Sequence, residues 1–138
     1  MEAQEKDSVY SPLKFAIEYK INNVELEEFF RAAFTSMVDK AYTCARDKGW
    51  YSDNVEVNQG EQLALMHSEI SECLEYMRNG NKVSDHIQEF TGLEEELADV
   101  IIRIMSYSGK CRLKIAEAIV AKMKFNEGRS FKHGGKKF

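Results

Sequence analysis

Apolar residues recur every three or four positions along most of the chain after residue 23, the spacing that gathers them on one face of an α-helix. This periodicity predicts four helices, at about 24–48, 61–79, 91–109 and 111–126. Gly49 and Gly80 follow the first two stretches, and the only proline, Pro12, precedes all four. The pattern therefore predicts an all-α protein with four main helices.

The first 22 residues have a different pattern. Leu13, Phe15, Ile17, Tyr19 and Ile21 alternate with other residues, the spacing of an extended segment. We therefore expect an extended arm over 1–22, a helical domain over 23–127 and a basic tail over 128–138. A chain of 138 residues is sufficient for one such domain.

Charge and composition restrict the possible functions. Nineteen Lys and Arg against 23 Asp and Glu give a net charge of −4, which is unlike the basic surface of a nucleic-acid-binding protein. Residues 122–138 nevertheless contain six basic residues and one acid. No apolar run approaches the ~18 residues of a membrane span, so we expect no membrane association. Three widely spaced cysteines favour reduced thiols and a cytoplasmic location.

Two similar acidic motifs lie on the second and third predicted helices. Glu69 and Glu72 are three residues apart, as are Glu96 and Asp99, so each pair shares a helix face beside the apolar stripe. In an antiparallel hairpin the four acids would meet at one rim. Two charges ~4 Å apart repel by about 4 kcal/mol at an effective dielectric near 20, which favours a bound cation.

Ligands that are all carboxylates favour Mg²⁺, with Mn²⁺ as a substitute. A di-iron bundle would require Glu-x-x-His, and no histidine here has an acid three residues before it. Ordinary amphipathic helices also carry acids beside their stripes, so spacing alone leaves a metal site and a plain surface both open. Glu75, Glu94 and Glu95 point away from the stripe and are predicted to be solvated.

Longer motifs resemble a known family. S-E-I-S-E at 68–72 and E-E-L-A-D at 95–99 are similar to the E-E-x-x-E and E-x-x-D signature of the MazG-like all-α nucleoside triphosphate pyrophosphohydrolases. Lys122, Asn126 and Arg129 match that family's Lys-x-x-x-Asn-x-x-Arg ending. Ser68 departs from the pattern, which has Glu at this position.

The resemblance implies a four-helix bundle completed by a second subunit, in a homodimer or homotetramer. It also implies Mg²⁺-dependent hydrolysis of a nucleoside triphosphate to the monophosphate and pyrophosphate. The implied metal ligands are Glu69, Glu72, Glu96 and Asp99. The implied phosphate-binding residues are Lys122, Asn126 and Arg129.

Other roles remain open at this point. Trp50 and Tyr51 are candidates for stacking on a nucleobase, although they would serve equally as a plug at the end of the bundle. A catalytically weak helical dimer that binds nucleotides or a protein is one alternative function. A relative that hydrolyses another pyrophosphate substrate, such as phosphoribosyl-ATP, is a second.

Overall fold

The computed structural model describes residues 22–52 and 55–130, which form four α-helices. These are α1 (Asn23–Asp47), α2 (Gln59–Arg78), α3 (Gly92–Cys111) and α4 (Ile115–Glu127). The described ranges contain no strand, and one isolated bridge joins Val83 to Thr91 in the loop between α2 and α3. The all-α prediction is confirmed for these residues. The predicted arm, apart from Asn22, and tail residues 131–138 lie outside the described residues.

Local hydrogen bonds explain where the helices begin. Asn22 and Glu25 form a reciprocal capping box at the start of α1, and Thr91 and Glu94 form another at the start of α3. The Asn58 side chain accepts a hydrogen bond from the backbone N–H of Glu61 at the start of α2. These caps satisfy N–H groups that have no partner within the helix.

The last helix begins later than the sequence predicts. Arg112 adopts a left-handed conformation, with φ 54° and ψ 42°, and so ends α3 after Cys111. The chain then resumes helical structure only at Ile115, whereas apolar spacing predicts helix from 111. Three residues, 112–114, thus separate two helices that have similar side-chain patterns, and the left-handed Arg112 is the first of them.

Helix α3 lies at the centre of the fold, packed against both α1 and α2, while α4 packs against α1. α2 and α3 are antiparallel, because Glu69 contacts Arg103 while Tyr76, about two turns later on α2, lies against Gly92, about three turns earlier on α3. Glycines permit two close approaches: a Cβ at Gly92 would overlap the Tyr76 ring, and one at Gly109 would lie 2.6 Å from the Tyr42 Cβ. The acidic motifs therefore face each other across a tightly packed hairpin.

Many large apolar side chains remain on the surface of this single chain. They include Leu63, Ile70, Leu74 and Met77 on α2 and Leu97 and Ile101 on α3, all of which are exposed. The fully buried apolar side chains among the described residues are few. Among the described helices, none is both long enough and apolar enough to cross a membrane.

We predict that Gly109→Ala destabilises the protein by about 1–3 kcal/mol, because the added methyl group would force α1 away from α3. The Tyr42 Cβ is fixed to its backbone and cannot rotate out of the way. Gly60→Ala is the matched control, since its Cβ would have only the Asn58 side chain nearby, at 3.5 Å. Thermal unfolding should show a lower Tm for Gly109→Ala alone. An equal Tm for both variants would mean that α1 and α3 are not in close contact there.

Candidate active site

Three carboxylates from two helices meet in the α2–α3 hairpin. Glu69 and Glu72 of α2 and Glu96 of α3 each offer an oxygen atom, and these atoms all lie within 4.8 Å of one another. Glu69 and Glu96 are buried, with 6% and 8% of their surface exposed, whereas Glu72 is exposed. We call these three residues the carboxylate cluster. The i, i+3 spacing predicted in the sequence thus corresponds to a real convergence.

Burial makes the ionised form of this cluster costly. It raises the pKa of Glu96 from its ordinary value of 4.5 to about 7, with further contributions from Glu72, Glu69 and Asp99. Burial also raises the pKa of the Cys73 thiol, which lies on α2 and feels the negative charge of Glu96. The local environment therefore disfavours additional negative charge and would favour a cation.

Asp99, the fourth predicted ligand, lies beside the carboxylate cluster rather than within the set of three. Burial raises the pKa of Asp99, as does the charge of Glu69, while Arg103 acts in the opposite direction. Asp99 also lines the adjoining pocket. It therefore stands at the boundary between the cluster and the pocket.

Arg103 supplies positive charge to the carboxylate cluster. Its Nε atom donates a hydrogen bond of 2.5 Å to Oε1 of Glu69, and its side chain is one-third exposed. The sequence motifs predict no role for this residue. Its position seven residues after Glu96 and four after Asp99 was the available signal, because that spacing keeps all three on one side of α3.

A second polar group holds the loop that precedes α3. The Ser84 hydroxyl donates to Glu95 and accepts from the backbone N–H groups of His86 and Ile87, and His86 Nδ1 lies 2.9 Å from Glu95 Oε1. The Glu95 side chain is only 11% exposed. The prediction of a solvated Glu95 is therefore wrong, because the loop folds back over it. These bonds fix the loop next to Glu96.

A pocket of about 280 Å³ adjoins the carboxylate cluster. Trp50 and Tyr51 line one part of it, while Asp99 and Arg103 line another. The volume is close to the lower end for small-molecule sites. The pocket therefore brings two aromatic residues, one acid and one cation around a single space.

The two aromatic residues differ in their exposure to solvent. Trp50 is 71% exposed, whereas Tyr51 is buried and its hydroxyl donates to Oε1 of Gln62 at 3.1 Å. The Tyr51 ring also packs against Tyr42 at a centroid distance of 5.8 Å. Trp50 is consequently the side chain with an open ring face, and Tyr51 forms part of the wall.

The predicted phosphate-binding residues lie on a different part of the chain. Lys122 and Asn126 are exposed on α4, and Arg129 is exposed just after it. Lys122 and Arg129 both lie over the Phe125 ring, with their charged groups 4.6 and 5.8 Å from its centre. Within the described residues α4 packs mainly on α1, whereas the carboxylate cluster lies between α2 and α3. Their role in phosphate binding stays a prediction.

Comparison of the chain with protein-family models, with curated protein sequences and with solved structures gave no match.

We predict that the metal-free protein loses stability as the pH rises through about 7, because Glu96 must then ionise in its buried position. The folded protein binds this proton more tightly than the unfolded chain, in which a glutamate titrates near 4.5. The contribution of the Glu96 proton to the free energy of unfolding is thus fully present below about pH 4.5 and absent well above pH 7. Melting curves in EDTA between pH 5 and pH 8 test this.

Glu96→Gln should reduce the decline in Tm over that range and raise the Tm at pH 8, since glutamine stays neutral. Glu28→Gln, an exposed substitution on α1, is the control and should keep the decline of the parent protein. An unchanged decline in Glu96→Gln would show that Glu96 does not titrate in this range.

Proposed function

We propose that this protein is a Mg²⁺-dependent nucleotide pyrophosphohydrolase, which hydrolyses a (d)NTP to the (d)NMP and pyrophosphate. The observation that carries the proposal is the convergence of three carboxylates within 4.8 Å beside a pocket that contains aromatic and cationic side chains. The MazG-like resemblance of residues 68–72, 95–99 and 122–129 supports the same reaction.

The residues of the carboxylate cluster suit a hard divalent ion. Their donor atoms are all carboxylate oxygens, which Mg²⁺ and Mn²⁺ prefer over the nitrogen and sulfur ligands typical of zinc. Glu69 and Glu96 are buried and close together, so a cation would relieve their repulsion. When bound, the ion would neutralise phosphate charge and make a water molecule more acidic. Glu69, Glu72 and Glu96 are the proposed ligands, with Asp99 completing the set from the rim.

The pocket suggests how a nucleotide is oriented. We assign the nucleobase to the Trp50 side, where an open indole face is available for stacking, and Tyr51 to the wall behind it. The phosphates then extend toward Asp99 and Arg103. Water attacks the α-phosphorus, one of the carboxylates accepts its proton, and pyrophosphate leaves.

Exposed apolar residues support a homodimer as the assembly. Four exposed apolar residues of α2 lie roughly 100° around the helix axis from the residues that face α3, namely Leu63, Ile70, Leu74 and Met77. On α3, Leu97 and Ile101 are displaced by a similar angle, and in the same direction about the helix axis, from the residues that face α2. In an antiparallel pair this rotation puts both sets on one side of the hairpin. A second copy that covers this side would complete a four-helix bundle, and pairing of dimers would give a homotetramer.

Lys122, Asn126 and Arg129 remain the proposed phosphate-binding residues. Because α4 packs on α1 within the chain, their role requires assembly to bring them to the phosphates.

One observation favours a non-enzymatic alternative. The Ser68 hydroxyl donates to the backbone oxygen of Leu65 in its own helix, at 2.8 Å, so this position contributes no carboxylate to the site. A site with fewer acids would suit a helical dimer that binds nucleotides or a protein with little catalysis. The same acids would also allow another pyrophosphate substrate, such as phosphoribosyl-ATP.

We predict pyrophosphate release from at least one NTP or dNTP in the presence of Mg²⁺, measured against orthophosphate release across a nucleotide panel. Glu72→Gln should reduce kcat/KM by at least about 100-fold, because it removes a ligand from the proposed metal site. Glu75→Gln is the matched control on the same helix, where Glu75 is exposed and pairs with Arg78. Hydrolysis in ¹⁸O-labelled water should label the monophosphate.

Pyrophosphate release from no nucleotide would support the binding alternative. Label in pyrophosphate would instead indicate attack at the β-phosphorus, and equal activities for Glu72→Gln and Glu75→Gln would overturn the site assignment.

We predict that light scattering gives a mass of at least about twice the 15.9 kDa of one chain. Ile70→Lys should shift the protein toward the monomer, because it introduces a charge into the exposed apolar side of the hairpin. Ser71→Lys is the control, since Ser71 is an exposed polar neighbour on another face of α2. A monomeric parent protein, or an Ile70→Lys variant that remains fully assembled, would contradict the proposed interface.

A further inference from the structure

Arg103 is the basic residue that forms an ion pair with the carboxylate cluster in the described part of the chain. It pairs through Nε with Glu69, whose side chain is 8% exposed. A buried carboxylate is costly unless it is paired, so Arg103 stabilises Glu69 when no other cation is present. The proposed metal ligand therefore already has a positively charged partner within the protein.

A divalent ion and Arg103 would compete for the same carboxylate. Both require the Glu69 oxygens, and their positive charges repel each other at this short range. Binding of the ion should therefore weaken the pair between Arg103 and Glu69. In the metal-free protein, the guanidinium of Arg103 therefore holds Glu69.

The guanidinium has a second set of partners available. Arg103 lines the same pocket as Trp50 and Asp99. Its Nε donates to Glu69, and no acceptor among the described residues is bonded to its two terminal nitrogens. A planar guanidinium matches two oxygens of a phosphate group better than a lysine ammonium does.

We propose that Arg103 exchanges partners during the binding cycle, pairing with Glu69 in the metal-free protein and with a substrate phosphate once a divalent ion holds Glu69. This inference rests on the function proposed above and names a phosphate-binding residue that the sequence motifs do not include. The exchange makes metal and phosphate binding cooperative, because each ligand favours the same position of Arg103.

Calorimetric titration of the full chain with Mg²⁺ alone, and with inorganic pyrophosphate at saturating Mg²⁺, tests the exchange. Arg103→Gln removes the competing cation, so Mg²⁺ affinity should increase by roughly five- to tenfold, while pyrophosphate affinity should fall by roughly tenfold or more. The matched control is Arg31→Gln, because Arg31 is 35% exposed, close to the 33% of Arg103, and pairs with Glu27 on α1. Both affinities should stay within about twofold of the parent protein in this control.

Opposite changes in the two affinities distinguish exchange from a structural role. If Arg103 merely holds Glu69 in position, Arg103→Gln should weaken Mg²⁺ binding, and that result, or an unchanged Mg²⁺ or pyrophosphate affinity, would overturn the proposal. Should Arg103→Gln fail to fold, Arg103→Lys provides the test: it keeps the charge, so Mg²⁺ affinity should remain near that of the parent while pyrophosphate affinity falls. An unchanged pyrophosphate affinity in Arg103→Lys would also overturn the exchange.

The proposed function can fail separately from the exchange. If the parent protein binds no Mg²⁺, the metal site and the exchange are both wrong. If the parent binds Mg²⁺ and releases pyrophosphate from nucleotides but Arg103→Gln binds Mg²⁺ no more tightly, only the exchange is wrong.

Discussion

Repulsion between Glu69, Glu72 and Glu96 is the constraint on which the rest of the site depends. Three carboxylates within 4.8 Å, two of them buried, cannot all remain charged without compensation. The folded chain compensates in two ways. Glu96 holds its proton up to about pH 7, and Arg103 pairs with Glu69. A divalent ion would replace both forms of compensation at once, and this need for positive charge is the reason that we propose the cluster as a metal site.

The α2–α3 hairpin separates two kinds of surface. One side carries the pocket with Asp99 and Arg103, and the other carries exposed apolar residues such as Ile70 and Ile101. The proposed catalysis and the proposed assembly would therefore use different residues of the same two helices. The close approach of α2 and α3 at Gly92 keeps the register between the two acidic motifs fixed.

Helical periodicity was sufficient to predict four helices and the shared face of each acid pair, because both depend on local geometry alone. It could not predict the start of α4, which is set by the left-handed backbone of Arg112 rather than by side-chain spacing. It also missed the pair between Arg103 and Glu69 and the burial of Glu95. The ion pair depends on the register of α2 against α3, and the burial of Glu95 depends on a loop that folds back. Neither is encoded in a single stretch of sequence. The separation of Asp99 from the other acids has the same origin.

The central claim is that the carboxylate cluster is a binding site for a hard divalent ion. The most direct test is a crystal structure of the protein soaked with Mn²⁺, with anomalous diffraction used to locate the ion. We predict an anomalous peak at coordination distance from oxygen atoms of Glu69, Glu72 and Glu96. A well-ordered cluster without a peak, at an Mn²⁺ concentration that labels other surface carboxylates, would contradict the account.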